Sequence, residues 1–354
     1  MPANNEDRKP RGKKKIIQKA KARFKRCMEW EQDSTERYIE DRKFAVGDPD
    51  NGWQWPDAIS RSRNADERPM LTVNKTRQHN LQIINEFKKN RPGIKIRPTG
   101  DGATYESAQI FEGVVRYIEY RSKSKTLYGN AVRSQVEGGI GYWRVITDYI
   151  DQDSFDQDIF LKPIKDTTSV YIDPDILEQD GSDMKFAFIF DDVPFEKFKV
   201  EYPNKKELIS RATLGKSDWL NTEHIRIAEY YYIEEKHDKL VAFQVDDERT
   251  EIMRESELRQ ILESDKVATI LEDPTTQTRG IKVPVVKWCK IMGDEIIDEK
   301  IWPGIYIPVV RIIGEETVIE GKLDRKGHTR YQKDPQRMYN YWTSTATEQL
   351  SYRS

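Results

Sequence analysis

Three glycines within four residues, Gly138, Gly139 and Gly141, divide this chain into two kinds of sequence. Before them apolar residues return at three- and four-residue steps, as in Leu81, Ile84 and Phe87 with Ile83 alongside, and again in Ile110, Val114, Tyr117 and Ile118. That spacing predicts amphipathic helices over about 75–90, 103–122 and 124–137. After them the pattern shortens to β-rich runs, Tyr142–Ile150, Asp158–Ile164, Ser169–Pro174 and Lys185–Asp192. Helices followed by a block of strands define an α+β chain and argue against alternating βαβ units.

The N-terminal part predicts a disordered stretch over 1–12 and a helix from Lys13 to about Lys43, with Ile17, Ala20, Phe24, Met28 and Glu31 on one face. The loop over 47–68 carries Trp53 and Trp55, whose expected role is to pin it to its own domain. Farther on, a helix over 194–211 and a strand over 224–235 are expected. Leu258, Ile261, Leu262, Val267, Ile270 and Leu271 predict one helix over 251–272, ended by Asp273-Pro274. Short Val- and Ile-rich strands between Ile281 and Ile319, broken by prolines and glycines, predict a compact β module. Asp334-Pro335 opens a last helix, with Met338, Tyr341, Trp342 and Thr345 on one face.

A length of 354 residues leaves room for about two domains. With 36% hydrophobic and 34% charged residues, core material is scarce, as in a thin, elongated subunit. The net charge of −2 excludes a globally basic nucleic-acid binder. Charge is nevertheless segregated: Arg8–Arg26 holds eleven Lys or Arg and no acid, whereas Asp246–Asp273 holds ten acids against four bases. Cys27 and Cys289 have no metal-site spacing and predict reduced thiols. No signal peptide and no membrane-spanning apolar run is present, so a soluble, unexported chain is expected.

Catalytic patterns fail on inspection. Gly215, Lys216 and Ser217 imitate the end of a phosphate-binding loop, but Ser210 stands where its first glycine belongs. The acidic groups Asp151, Asp153, Asp156, Asp158 and Asp173, Asp175, Glu178, Asp180, Asp183 lack the calcium-loop order, and turn chemistry accounts for Asp173-Pro174 and Asp180-Gly181. The four histidines form no catalytic order. No enzyme, metal or cofactor is expected. Aromatic and basic residues interleave over His328–Trp342, where helix packing is the favoured role over base stacking.

One segment has two meanings. In Arg68–Pro98, Asn74 is a helix N-cap, Pro92 forces Arg91 out of the helix, and Ile94 and Ile96 alternate with Lys95 and Arg97 as a short strand. The same segment resembles the start of the wing in portal proteins of P22-like tailed phages, and Ser169–Asp192 and Asp334–Leu350 resemble that family in the same order. The resemblance runs over residues 30–354 and reaches about half of a typical family chain, so a truncated product that does not close a stable ring by itself is expected.

The resemblance implies a portal-like elongated subunit: a basic arm over 1–29, a wing-like α+β domain over 30–250, a stem helix over 251–275, a β clip over 276–333 and a second stem helix over 334–354. It further implies a homo-oligomeric, dodecameric ring at one capsid vertex through which double-stranded DNA passes. The partners would be the terminase motor, a tail adaptor, and coat and scaffolding proteins. The place would be the virion, and host cytoplasm during assembly. Glu251, Glu255, Glu257, Glu263 and Arg337 are the expected channel lining, and Lys13, Lys14, Lys15, Lys19 and Arg23 the expected contacts to DNA or scaffold. The competing readings are a metal-dependent nucleic-acid enzyme that uses an Asp cluster, and a structural adaptor that never touches DNA.

Overall fold

The computed structural model describes residues 8–90, 93–99, 103–203, 224–246, 249–262 and 264–351. The chain is α+β: among the described residues every strand follows Gly139, five α-helices precede it, and four more lie between or after the strands. It forms two compact units. A helical unit holds Lys14–Phe190 with Pro308–Ser354, and a hairpin unit holds Asp191–Ile307 with the first residues to Lys13.

In the helical unit, α1 (Arg8–Val46) buries Ile17, Ala20, Cys27, Glu31, Ser34, Tyr38, Asp41 and Ala45, a sequence of three-, four- and seven-residue steps. Cys27 takes the inward place expected for Met28, which is exposed. Phe24 of this helix meets Tyr171, Phe188 and Phe190 at 5.1, 5.8 and 4.8 Å between ring centroids.

The stretch read as a loop contains α2 (Asp57–Ala65), and Trp55 pins it by burying its ring and donating to Thr72 Oγ1 at 3.2 Å. α3 (Lys75–Lys89) is capped by Asn74, whose side chain accepts the Arg77 N–H at 2.9 Å. Gly93–Thr99 forms no strand, so Ile94 is exposed and not half-buried. α4 (Tyr105–Arg121) and α5 (Ser124–Gly138) follow. Ile84 of α3 packs with Val132 and Val136 of α5 in a small core. β1 (Ile140–Tyr149) pairs antiparallel with β2 (Gln157–Pro163), Val145 opposite Leu161. β3 (Val170–Ile172) pairs with β4 (Phe186–Pro194), Ile172 opposite Ala187.

The hairpin unit takes over within β4 and continues through α6 (Phe195–Glu201), β5 (His224–Asp246), β6 (Arg249–Arg254), α7 (Glu255–Ile261), α8 (Ser264–Glu272), β7 (Gln277–Met292) and β8 (Glu295–Ile301). Its spine is the β5–β7 pairing, continuous in register from Ala228 opposite Ile291 to Ala242 opposite Gln277. The single helix expected over 251–272 is corrected. Residues 249–254 are held as a strand by β5, with Leu240 opposite Arg254, and Leu262 is extended (φ −113°, ψ 151°), which breaks the rest into two helices. Each short helix keeps one correct inward residue: Leu258 and Val267 both pack on Val241 and Phe243. The Gly215, Lys216, Ser217 segment lies outside the described residues, as does Glu263.

β9 (Val309–Ile313) returns to the helical unit and pairs with β1, Ile140 opposite Ile313. β10 (Glu315–Ile319) and β11 (Lys322–Lys326) form a hairpin whose turn residues Glu320 and Gly321 both have positive φ (51° and 74°), as a two-residue hairpin turn requires. α9 (His328–Ser351) begins earlier than Asp334, with Pro335 inside it. β6 runs across position 250 and α9 across 333, whereas 275 falls between α8 and β7. The expected 276–333 module is divided, because β7 belongs to the β5 ladder and β9 to the β1 ladder.

The glycine break has a packing cause. A Cβ on Gly141 would stand 2.0 Å from Ala131 O, one on Gly138 2.3 Å from the Tyr38 ring, and one on Gly327 2.6 Å from Val136 O. Gly139 (φ 98°) also accepts the Gly314 N–H at 2.8 Å. Backbone thus meets backbone where α5, β1, β9 and α9 converge. Gly141→Ala is expected to cost about 3 kcal/mol, the upper end for an overpacked site, because a helix carbonyl cannot move aside. Denaturant unfolding checks it, and a wild-type midpoint would contradict this close packing.

Candidate functional surfaces

Two buried polar systems tie the helical unit together. In the first, Arg325 on β11 makes paired bonds to Glu31 on α1 at 3.0 and 3.1 Å and a third to Glu316 on β10 at 2.8 Å. Arg311 reaches Glu316 at 3.2 Å and the Glu178 carbonyl at 2.8 Å. One turn farther along α1 from Tyr38, Asp41 accepts from Arg330 at 2.7 Å and meets Lys333 at 2.7 Å. Burial disfavours the Arg325 charge, but Glu31 and Glu316 outweigh it and hold the guanidinium more firmly protonated than usual. Lys333, by its bond to Glu40, holds that carboxyl below its ordinary range.

The second system is a ladder from α9 to Leu71–Thr76, the lead-in to α3 and its first two residues. Ser344 Oγ accepts the Leu71 N–H at 2.9 Å, Asn340 Oδ1 the Val73 N–H at 3.1 Å, and Gln336 Oε1 the Lys75 and Thr76 N–H groups at 2.9 and 3.0 Å. The match is geometric. Four residues of helix advance about 6 Å, and two residues of extended chain advance about 6.6 Å, so side chains at i, i+4 and i+8 meet every second backbone amide. Gln336 also donates to Val73 O at 2.8 Å, and Asn340 to Gln54 Oε1 at 2.9 Å. Thr329, Lys333, Gln336, Asn340 and Ser344 make α9's buried face polar, while Met338, Tyr341 and Trp342 face out, which corrects the expected packing face.

The residues singled out from the sequence fall in separate places. Lys14, Lys15 and Lys19 are exposed on α1, Lys13 pairs with Glu299 at 3.1 Å, and Arg23 stacks over the Phe186 ring at 4.4 Å, so Arg23 is a packing residue. Glu251 lies on β6 opposite Phe243. Glu255 accepts from Arg259 at 3.0 Å and lies 3.8 Å from Lys239, and Glu257 lies 3.8 Å from Arg254. Arg254 and Arg259 are already among the four bases of this segment, and Lys239 adds one from outside it. Arg337, in the other unit, bonds to Asp334 at 3.4 Å and packs over Phe44.

The acidic groups serve the backbone. Asp173 accepts the N–H groups of Asp175 and Lys185, and Asp183 that of Leu177 at 2.7 Å, while Asp158 bonds Arg121 at 3.0 Å. Among the described residues no group of three or more His, Cys, Asp or Glu is arranged to hold a metal ion, and no helix is long and apolar enough to cross a membrane. Cys27 and Cys289 are buried, and burial pushes each thiol up to about 12. Neither is expected to react with an aromatic disulfide reagent at pH 8 until the chain unfolds, when both titrate. A fast native thiol would contradict the burial.

The family described as Phage P22-like portal protein matches residues 21–353. A portal protein of Acyrthosiphon pisum secondary endosymbiont phage 1 is 27% identical over 338 residues, covering 91% of this chain and 46% of that relative. The chain therefore belongs to the P22-like phage portal proteins. It spans about half the length of this curated relative.

Proposed function

We propose that this chain serves as a portal subunit, part of a homo-oligomeric ring at one capsid vertex through which double-stranded DNA enters during packaging and leaves at ejection. The family match over 21–353 carries this reading. A dodecamer, a separate terminase motor that hydrolyses ATP, a tail adaptor, and coat and scaffolding proteins complete it. Its setting is the virion, reached from host cytoplasm during assembly, and its own role is structural, not catalytic. In this reading the stem comprises 251–275, built of the end of β6 with α7 and α8, together with 334–354, and the clip comprises 276–333. The exposed Lys14, Lys15 and Lys19 suit DNA or an acidic scaffold segment. Immunogold labelling of virions with antibody to this chain is expected to mark a single vertex, and label spread over the shell would overturn the proposal.

In the same reading, Glu251, Glu255, Glu257, Glu263 and Arg337 border the channel, where a mainly acidic wall keeps the duplex mobile. Glu257 is the cleaner probe, because its contacts to Arg254 are long, 3.4 Å to the N–H and 3.8 Å to the guanidinium, whereas Glu255 holds Arg259 at 2.6 Å. Glu257→Lys is expected to slow packaging at low salt and to recover as salt screens the added charge. An unchanged rate in assembled particles would remove Glu257 from the lining.

A further inference from the structure

A small cavity beside the Glu31–Arg325 pair lies where four parts of the helical unit meet. Glu31 and Ser34 come from α1, Tyr142 from β1, Thr167 from the short 3₁₀ turn Thr167–Ser169, and Arg325 from β11. It leaves about 20 Å³ of room for a water-sized sphere. Ser34, Tyr142 and Thr167 are only 3%, 5% and 9% exposed, yet their hydroxyls have no hydrogen-bond partner among the described residues. Buried polar side chains nearly always find a partner in protein or ordered water. A hydroxyl left unserved in the interior opposes folding.

We infer that this cavity holds one ordered water molecule, which bridges α1, β1 and the Thr167 turn through the hydroxyls of Ser34, Tyr142 and Thr167. Size sets the class of ligand. A water needs about 10–15 Å³ of room and about two to four polar partners, so one water fits and a phosphate or nucleotide does not. Charge narrows the class further. Glu31 and Arg325 line the same space and are bonded to each other at 3.0 and 3.1 Å, so a bare cation would lie against the guanidinium and a bare anion against the carboxylate. A small neutral molecule that both donates and accepts meets neither penalty. Burial raises the Tyr142 phenol far above its ordinary range, so it stays protonated at neutral pH and can donate. The Glu31–Arg325 pair ties α1 to β11, and the water adds β1 and the turn to that junction. The inference is independent of the portal reading.

The test reads the sign of a stability change in the full chain. Tyr142→Phe and Thr167→Val each remove a hydroxyl at nearly constant shape. With the water in place, each change removes a hydrogen bond made in the folded state and is expected to lower the folding equilibrium constant about fivefold, as for a typical net hydrogen bond. A buried, unserved hydroxyl acts in the opposite sense, and its removal leaves the constant unchanged or raises it. A crystal structure that resolves other buried waters is expected to show one peak within hydrogen-bond reach of at least two of the three hydroxyls. Both variants as stable as wild type or more so, or such a map with no peak here, would overturn the inference. Lost stability with the hydroxyls bonded directly to one another in that map would overturn it as well.

Discussion

Arg325→Met is expected to destabilise the helical unit by about 3–5 kcal/mol, the range for breaking a buried ion pair from one side. The size follows from what remains. Glu31 and Glu316 are 9% and 20% exposed at the side chain, and Arg325, at 5%, is the cation that bonds both. Without it, Glu31 keeps a buried charge without that hydrogen-bond partner, and Glu316 retains only Arg311. The loss is that of an uncompensated charge and not the net worth of the network, since replacing such a pair entirely by apolar residues is often neutral or stabilising. Glu31→Leu combined with Arg325→Met should therefore recover much of the loss. Urea unfolding followed by the signal of the helical unit separates the cases by midpoint at constant slope. A single variant as stable as wild type would mean that water or a shifted side chain already serves Glu31.

The pair also marks how far the sequence could be read. Local signals were legible: the Asn74 cap, the glycine break, the Trp55 anchor and the inward course of α1 through Ile17, Ala20 and Phe24 all depend on neighbours within a few residues. Long-range partners were not. Glu31 and Arg325 lie 294 positions apart, and nothing around either residue names the other. Apolar periodicity gave the correct inward residues Leu258 and Val267 but joined two helices and a strand end into one helix, because Leu258, Ile261, Leu262, Val267, Ile270 and Leu271 read as one stripe, while β5 holds 249–254 extended. In α9 the error was one of sign. Gln336, Asn340 and Ser344 repeat at helical spacing just as the apolar residues do, but their partners are backbone amides some 260–270 residues earlier. Weighting only apolar residues turned the helix outside in. Of the candidate site, Lys14, Lys15 and Lys19 lie exposed on α1; Arg259 and Arg254 stand four and three positions from Glu255 and Glu257, within reach of local reading, whereas the pairing of Lys239 with Glu255 comes only from the fold.

Asn340→Leu is expected to cost about 3 kcal/mol, although leucine is of similar size and more hydrophobic. Asn340 is 1% exposed, and its amide serves three groups at once: it accepts from Val73 N–H and Gln336 Nε2 and donates to Gln54 Oε1. Gln336 keeps the Val73 carbonyl and Gln54 keeps the Phe44 carbonyl, so their side chains remain partly satisfied. The Val73 N–H has no such second acceptor in the ladder, and a buried donor left unmade costs about 1–3 kcal/mol by itself. Ser344→Ala removes one rung, the acceptor of the Leu71 N–H, and is expected to cost about 1–2 kcal/mol. Trp342→Lys, two positions along the same helix from Asn340 but on its outer face, should leave the stability of the isolated chain within about 0.5 kcal/mol. The order of the three effects is the decisive reading. If the tryptophan change proved the most damaging and the asparagine change the least, the inward face of α9 would be the apolar one after all, and the ladder would fall.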